Sequence, residues 1–298
     1  MIDLHMHSRY SEDGEFTPAE LVGQCCRQGI TAMSITDHNC ARANTEARTL
    51  AGAKGIRYIS GIEIDCIYKG LGFHVLGYGI DELSADFARI EESIERQSFR
   101  ASLERLEKTR MLGFCVTQDE MRKLSEATYR KGSWTGEMFA ELLLAKPEYA
   151  GHPLLSPYRP GGARGDNPYV NFYWDYYAQG KPCHVEMTYP PMDEIIGIIH
   201  RNRGKAVLAH PGVNLKGREG LLGEVLDLGM DGVEAFSSYH TPEQAVKFYR
   251  QARECGLSVT CGSDYHGKTK PAIRLGGYGE LPSDFTLGQL NSLLDMQD

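Results

Sequence analysis

The chain predicts an α/β protein in which strands and helices alternate around a parallel sheet or barrel. Three observations carry that expectation. Short apolar runs recur between amphipathic stretches that open on capping residues and stop at glycines. Potential metal ligands stand at the end of one predicted strand after another. The alternation breaks once, which divides the chain into a main domain (1–97 and 188–298) and an inserted, mainly helical subdomain (98–187).

Residues 2–4 begin a short apolar run that reads as a buried strand. Residues two apart on a strand point the same way, so His5 and His7 leave one face together. Two adjacent imidazoles make a poor core and a good pair of metal ligands, although a lone His-x-His also suits two polar strand-end histidines. The following turn brings Glu12 and Asp13 back towards the strand end before Gly14 bends the chain. Thr17-Pro18-Ala19-Glu20 opens a helix with a capping threonine, proline at the first helical position and a glutamate completing the box, and Gly29 stops it. A second buried strand over 31–36 ends in Asp37-His38-Asn39, and a helix covers 42–53. Residues 56–64 read as a third strand with Glu63 near its end, and 73–78, containing His74, as a fourth. A long, highly charged helix runs from 84 to 111 and stops at Gly113.

The inserted segment holds both tryptophans (Trp134, Trp174), several tyrosines and a Pro/Gly-rich stretch over 153–168. Such aromatic clustering serves a core or interface at least as well as a ligand. The alternation then resumes with a helix over 192–203 and a strand over 205–209 that ends at His210-Pro211-Gly212. A helix over 220–228, a strand over 232–236 and a capped helix from Thr241 to Gly256 follow. The last strand, 257–261, leads into Gly262-Ser263-Asp264-Tyr265-His266-Gly267, and a helix is expected over 286–296.

Of the 298 residues, 41% are hydrophobic and 24% charged, the balance of an ordinary globular protein. No apolar run reaches membrane-spanning length, and the N-terminus lacks the pattern of a signal peptide. The eight cysteines form no Cys-x-x-Cys pair, so reduced thiols in a cytoplasmic protein are expected. A net charge of −8 argues against binding long nucleic acids or anionic membranes. It does not exclude a small anionic ligand, because metal ions can reverse the local sign of a site.

Chemistry in parallel α/β folds collects at the carboxyl ends of strands. Here those ends carry His5, His7, His38, Glu63, His210, Asp264 and His266, with His74 on the fourth strand. One strand-end histidine is an ordinary loop residue, but a set recurring strand after strand is not explained that way. Imidazoles mixed with carboxylates suit zinc, manganese or iron. So many ligands exceed one ion's shell. They predict two or three divalent transition metals sharing carboxylates, the arrangement that clamps an in-line displacement at phosphorus.

These motifs resemble the polymerase-and-histidinol-phosphatase (PHP) family of metal-dependent phosphoesterases. The resemblance runs through His5-x-His7 with Ser11-Glu12-Asp13-Gly14, Thr36-Asp37-His38, Gly61-Ile62-Glu63 and His74-Val75-Leu76-Gly77, then Ala209-His210-Pro211-Gly212 and Gly262-Ser263-Asp264-Tyr265-His266. It spans nearly the whole chain outside the insert, in order, and looks closest to the small stand-alone members with a helical insert. The resemblance implies a distorted (β/α)7 barrel with a trinuclear site held by His5, His7, Asp13, His38, Glu63, His74, His210, Asp264 and His266. Asp13 is taken before Glu12 because it keeps its place ahead of the glycine, in a turn one residue longer than in many relatives. Some relatives carry an Arg-x-His-like element in the insert that Ser133-Trp134-Thr135-Gly136 does not reproduce, which leaves the phosphate-anchoring residues open.

The activity implied is hydrolysis of small phosphate esters, namely nucleoside monophosphates or bisphosphates, or small cyclic phosphodiesters. A metal-bridging hydroxide would attack phosphorus in line, with Asp264, His266 and His210 closest to the chemistry. Asp37 would orient an imidazole or cap a loop. Arg9, Arg100, Lys131, Lys216, Lys268 and Lys270 could each reach a phosphate; Arg100, facing inward from the long helix, and Lys131, in the insert, are the expected binders. Trp134, with Tyr129 as the second choice, would stack on the leaving group. His152, His184 and His240 are expected to be bystanders. Two other classes compete: an amidohydrolase-type metal enzyme attacking carbon, and a non-catalytic metal-binding module, against which the complete set of nine ligand positions weighs.

Overall fold

The computed structural model describes residues 1–126 and 128–282; the helix expected over 286–296 lies outside them. Among the described residues eight strands fall into two sheets. The first is parallel throughout: β1 (Ile2–Asp3), β2 (Ala32–Met33) and β3 (Arg57–Tyr58). The second runs β4 (Gly61–Tyr68), β5 (Leu71–Tyr78), β6 (Lys205–Leu208), β7 (Gly232–Ser237) and β8 (Ser258–Gly262). In it β5 is antiparallel to both neighbours, while β6, β7 and β8 are parallel.

The chain is thus the mixed α/β protein its pattern predicts, but its strands do not close into a single (β/α)7 barrel. The reason is local. The strand expected over 56–64 is two strands, and the second, β4, continues to Tyr68. Lys69 and Gly70 follow with φ of +50° and +75°, the backbone of a two-residue hairpin turn. That turn folds β5 straight back on β4, where a barrel would need a helical crossover. The two sheets meet at their edges instead. Leu4 N–H donates to the Cys261 carbonyl at 3.1 Å and His7 N–H to that of Tyr265 at 2.9 Å. On the other side His38 forms a bridge with Glu63.

The helices begin where the sequence signals them. α1 (Pro18–Arg27) and α10 (Pro242–Glu254) each open with a threonine capping box. Between them lie α2 (Ala43–Gly52), α3 (Ala85–Met111), α4 (Gln118–Ser125), α5 (Gly136–Ala145), α6 (Pro168–Tyr176), α7 (Met192–Arg201), α8 (Pro211–Asn214) and α9 (Leu222–Leu226). α7 buries Met192, Ile195, Ile196, Ile198 and Ile199 against the second sheet, each worth roughly 1.5–3 kcal/mol. The insert has an apolar core of its own, built on Leu106, Phe114, Trp134, Phe139, Phe172 and Tyr177 among others. α3 serves both bodies, giving Phe87, Ile90 and Ile94 to the main core and Leu106 to the insert. No helix among the described residues is long and apolar enough to cross a membrane, and all eight cysteines are unpaired.

Candidate metal centre

The segment after β1 brings His5 and His7 to a common point, with their Nε2 atoms 3.2 Å apart. Glu63 Oε2 lies 3.2 Å from each, and Asp264 Oδ1 3.3 Å from His5 Nε2 and 3.0 Å from His7 Nε2. Four donor atoms at these separations match the edges of a coordination shell with bonds of about 2.0–2.1 Å. Around this group stand two more. His7, Asp13, His38 and His266 converge on one side, where Asp13 Oδ2 is 3.1 Å from His266 Nε2. Glu63, His74 and His210 converge on the other, with Glu63 Oε1 2.9 Å from His74 Nδ1 and 3.0 Å from His210 Nε2. A fourth grouping adds Asp65, 3.1 Å from His74 Nε2.

The imidazoles are aimed by bonds at their other nitrogens. His5 Nδ1 is 2.8 Å from Glu234 Oε1, and Glu234 Oε2 accepts the His210 backbone N–H at 2.8 Å. His7 Nδ1 meets the Ser11 hydroxyl at 2.9 Å, and Ser11 is held by Asp37 at 3.1 Å. Asp37 also accepts the Ser8 N–H and hydroxyl, so it orients His7 through the serine turn. His266 Nδ1 donates to the Asp264 carbonyl at 2.9 Å. These partners leave Nε2 of His5, His7 and His266 facing the cluster, the usual arrangement behind metal-bound histidine.

The backbone yields to this arrangement. Asn39, His210 and Asp264 all have positive φ (53°, 24° and 56°), a conformation that costs a non-glycine residue of order 1–3 kcal/mol and collects at functional sites. Gly262 lets β8 press against the first ligand, since a Cβ there would sit 2.2 Å from that of His5.

The electrostatics follow from crowding carboxylates and imidazoles together. Burial opposes a charge on His7, but Asp264 and Glu63 outweigh it and raise the pKa to about 9. His74 also rises to about 9, its burial overcome by Glu63 and Asp65. Burial lowers His38 to about 4. Burial disfavours the Glu63 carboxylate, yet His5, His38 and His74 hold it well below its ordinary range. Asp13 Oδ1, Asp264 Oδ1, His38 Nδ1, His210 Nδ1 and His266 Nε2 are buried without a hydrogen-bond partner. Unsatisfied atoms of this kind are expensive in a folded protein, and a set of them on clustered ligand-type residues fits divalent ions, which would displace the protons that His7 and His74 otherwise hold. The set is nitrogen and oxygen without thiolate, which suits manganese, iron or zinc.

All nine residues expected as ligands meet here. Glu12 does not: its carboxylate accepts from Ser98, Ser133 and Arg130 at the base of the insert. The expected substrate residues lie elsewhere. Arg100 is exposed on α3, whose inward stripe runs through Ser98, Ala101 and Ser102. Lys131 is exposed because the chain turns its neighbour Arg130 inward instead. Trp134 is 3% exposed, packed in the insert core, and Tyr129 stands against Tyr10. His184 lines the cleft described next, while His240 is used structurally, accepting the Gly212 N–H.

A cleft of about 1220 Å³ opens over the cluster. Its wall includes His38, Asp65, His74, His210, Asp264 and Lys270 from the main body and Tyr173, Trp174 and Lys181 from the insert. Asp65, Glu234 and Tyr239 join the site without having been expected there, and Trp174 was noted only as one of the insert's two tryptophans. Two of them had a signal: Asp65 shares a strand face with Glu63 two residues before it, and Glu234 is a lone charge in the apolar run 232–236.

The family profile described as PHP domain matches residues 3–217. The chain is 29% identical over 287 residues to a 3′,5′-nucleoside bisphosphate phosphatase of Chromobacterium violaceum, covering 94% of this chain and 92% of the relative. It is 28% identical to the 5′-3′ exoribonuclease Rnm of Escherichia coli over 291 residues, 94% of this chain and 90% of the relative. A solved structure of an amidohydrolase from Chromobacterium violaceum with bound sulfate superposes with a TM-score of 0.75 at 25% identity, covering 95% of this chain and 92% of that one.

Proposed function

Since this chain belongs to the PHP domain family and is a metal-dependent phosphoesterase, we propose that it hydrolyses nucleoside monophosphates or 3′,5′-bisphosphates at a trinuclear centre. The observation that carries the proposal is the convergence of nine nitrogen and oxygen ligands into three overlapping groups under one cleft. His5, His7, Glu63 and Asp264 would hold one ion, Asp13, His38 and His266 with His7 a second, and His74 and His210 with Glu63 a third. Such ions supply Lewis acidity and a nucleophile at neutral pH.

The chain's own residues do the rest. Glu234, Ser11 and the Asp264 carbonyl fix the tautomers and directions of His5, His7 and His266. Arg105, Lys181, Lys216, Arg218 and Lys270 outnumber Asp65, Glu186 and Asp264 in the cleft wall, so the local field attracts an anion despite the net charge of −8. The insert, residues 98–187, acts as a subdomain that walls the cleft and contacts the leaving group.

The test is direct. Protein purified without chelator is expected to carry more than one transition-metal equivalent per chain by elemental analysis, and to hydrolyse nucleoside phosphates but not amides or lactones. Full activity at a single equivalent would defeat the multinuclear reading. Turnover confined to amides or lactones would defeat the phosphoesterase.

Leaving-group recognition moves from Trp134 to Trp174, which is 44% exposed and stands in the cleft wall. Stacking a base on an aromatic ring is worth roughly 1–3 kcal/mol, about ten- to a hundredfold. Trp174→Ala is expected to erode the preference for nucleoside phosphates over p-nitrophenyl phosphate by about tenfold while sparing the generic ester. An equal loss on both substrates, measured as kcat/KM, would make Trp174 a packing residue only.

A further inference from the structure

Lys270 is the one buried lysine among the described residues, 6% exposed. A buried ammonium must be answered by a nearby charge, and Asp264 answers this one. Lys270 Nζ donates to Asp264 Oδ2 at 2.7 Å, and the Tyr239 hydroxyl donates to the same oxygen at 2.6 Å. The other oxygen, Oδ1, faces His5 and His7. Asp264 is therefore divided between the ligand cluster on one side and a lysine–tyrosine pair on the other. The ammonium also lies 5.3 Å over the Tyr239 ring.

An ammonium has three protons to give, and Lys270 spends one on Asp264. Lys270, Tyr239, Asp264 and His210 all line the cleft, so the group is fixed on two sides and faces the substrate space on another. The other buried or committed cations are spent elsewhere. Arg130 pairs with Glu12, Lys268 with Glu141, and Arg105 donates to the Trp134 carbonyl. A lysine ammonium is charged at neutral pH.

We propose that Lys270 is a phosphate-contacting residue of this site, donating to a non-bridging phosphoryl oxygen while Asp264 and Tyr239 hold its ammonium in place. The assignment rests on the phosphoesterase reading. It gives the site a cation that neither Arg100 nor Lys131 provides. A donor fixed in advance where charge builds in the transition state is worth about a hundredfold or more.

The experiment uses the metal-loaded protein with inorganic phosphate as the probe, titrated calorimetrically, beside kcat/KM on a nucleoside phosphate and metal content by elemental analysis. Lys270→Met is expected to weaken phosphate binding at least about tenfold and lower kcat/KM about a hundredfold, with metal content unchanged. Lys270→Gln, which can still donate to Asp264, is expected to show the same losses, and serves if the methionine variant does not fold. Lys270→Arg is expected to recover most of the phosphate affinity. Variants that bind phosphate and turn over like the wild type would overturn the assignment. So would losses that track a loss of metal, which would make Lys270 a positioning residue for Asp264. A wild-type protein that neither binds phosphate nor cleaves phosphate esters would instead remove the phosphoesterase reading itself.

Discussion

Glu63→Gln is expected to abolish turnover and empty the centre while the fold survives. Glu63 is fully buried, and its two oxygens lie within 3.2 Å of nitrogens on His5, His7, His38, His74 and His210. Glu63 thereby links the ligand groupings that contain those histidines. Glutamine keeps the shape but removes the charge that opposes two or more divalent ions, and turns one acceptor into a donor. Losing several kcal/mol of charge stabilisation corresponds to at least about a thousandfold in rate, at tenfold per ~1.4 kcal/mol. Elemental analysis should show metal content below half of wild type, with circular dichroism unchanged. Wild-type metal content and turnover in Glu63→Gln would show that the convergence is structural.

Asp13→Ala and Glu12→Ala are expected to fail in different ways, although the residues are adjacent. Asp13 directs Oδ2 at His266 and leaves Oδ1 buried and unpartnered. Its removal should lower metal occupancy and activity on the order of a hundredfold with little change in stability. Glu12 has a side chain only 18% exposed and pairs with an Arg130 side chain that is 3% exposed. Its removal strands a buried guanidinium, which costs about 3 kcal/mol after allowance for the partial exposure. Denaturant titration and elemental analysis together separate the two outcomes. Metal loss in Glu12→Ala with Asp13→Ala unaffected would exchange the roles.

The residues that converge on the cluster were legible because metal chemistry constrains residue type and position at once. A histidine at the end of a strand has few reasons to recur, so His5, His7, His38, His210 and His266 announce one another across the chain. The second layer was harder to read, because a carboxylate such as Glu234 reveals its purpose only when β7 is seen beside β1 and β6. The substrate side was least legible. Arg100 and Lys131 are the right chemical type, but helix phase and one turn of loop decide which basic residue faces inward. Here they chose Arg130 for the insert joint and Lys270 for the cleft. The two tryptophans differ only in burial, 3% against 44%, which no local pattern in the sequence fixes. The closed barrel failed at a single point, the Lys69-Gly70 turn, whose two positive φ values reverse one strand.

That turn and the edge-to-edge meeting of the sheets also set the order in which the site can come into being. Glu63, Asp65 and His74 lie on the two arms of one hairpin, a unit that closes in about 1–10 μs. Bringing His5 and His7 to Asp264 and His266 depends on Leu4 and His7 finding Cys261 and Tyr265 near the opposite end of the described chain, a contact whose loop entropy is met only late. A growing polypeptide therefore carries a fragment of the centre long before it carries the whole. A chain still being synthesised short of Asp264 and His266 lacks two of the residues that converge on the cluster. Topology itself keeps the cluster incomplete in unfinished molecules.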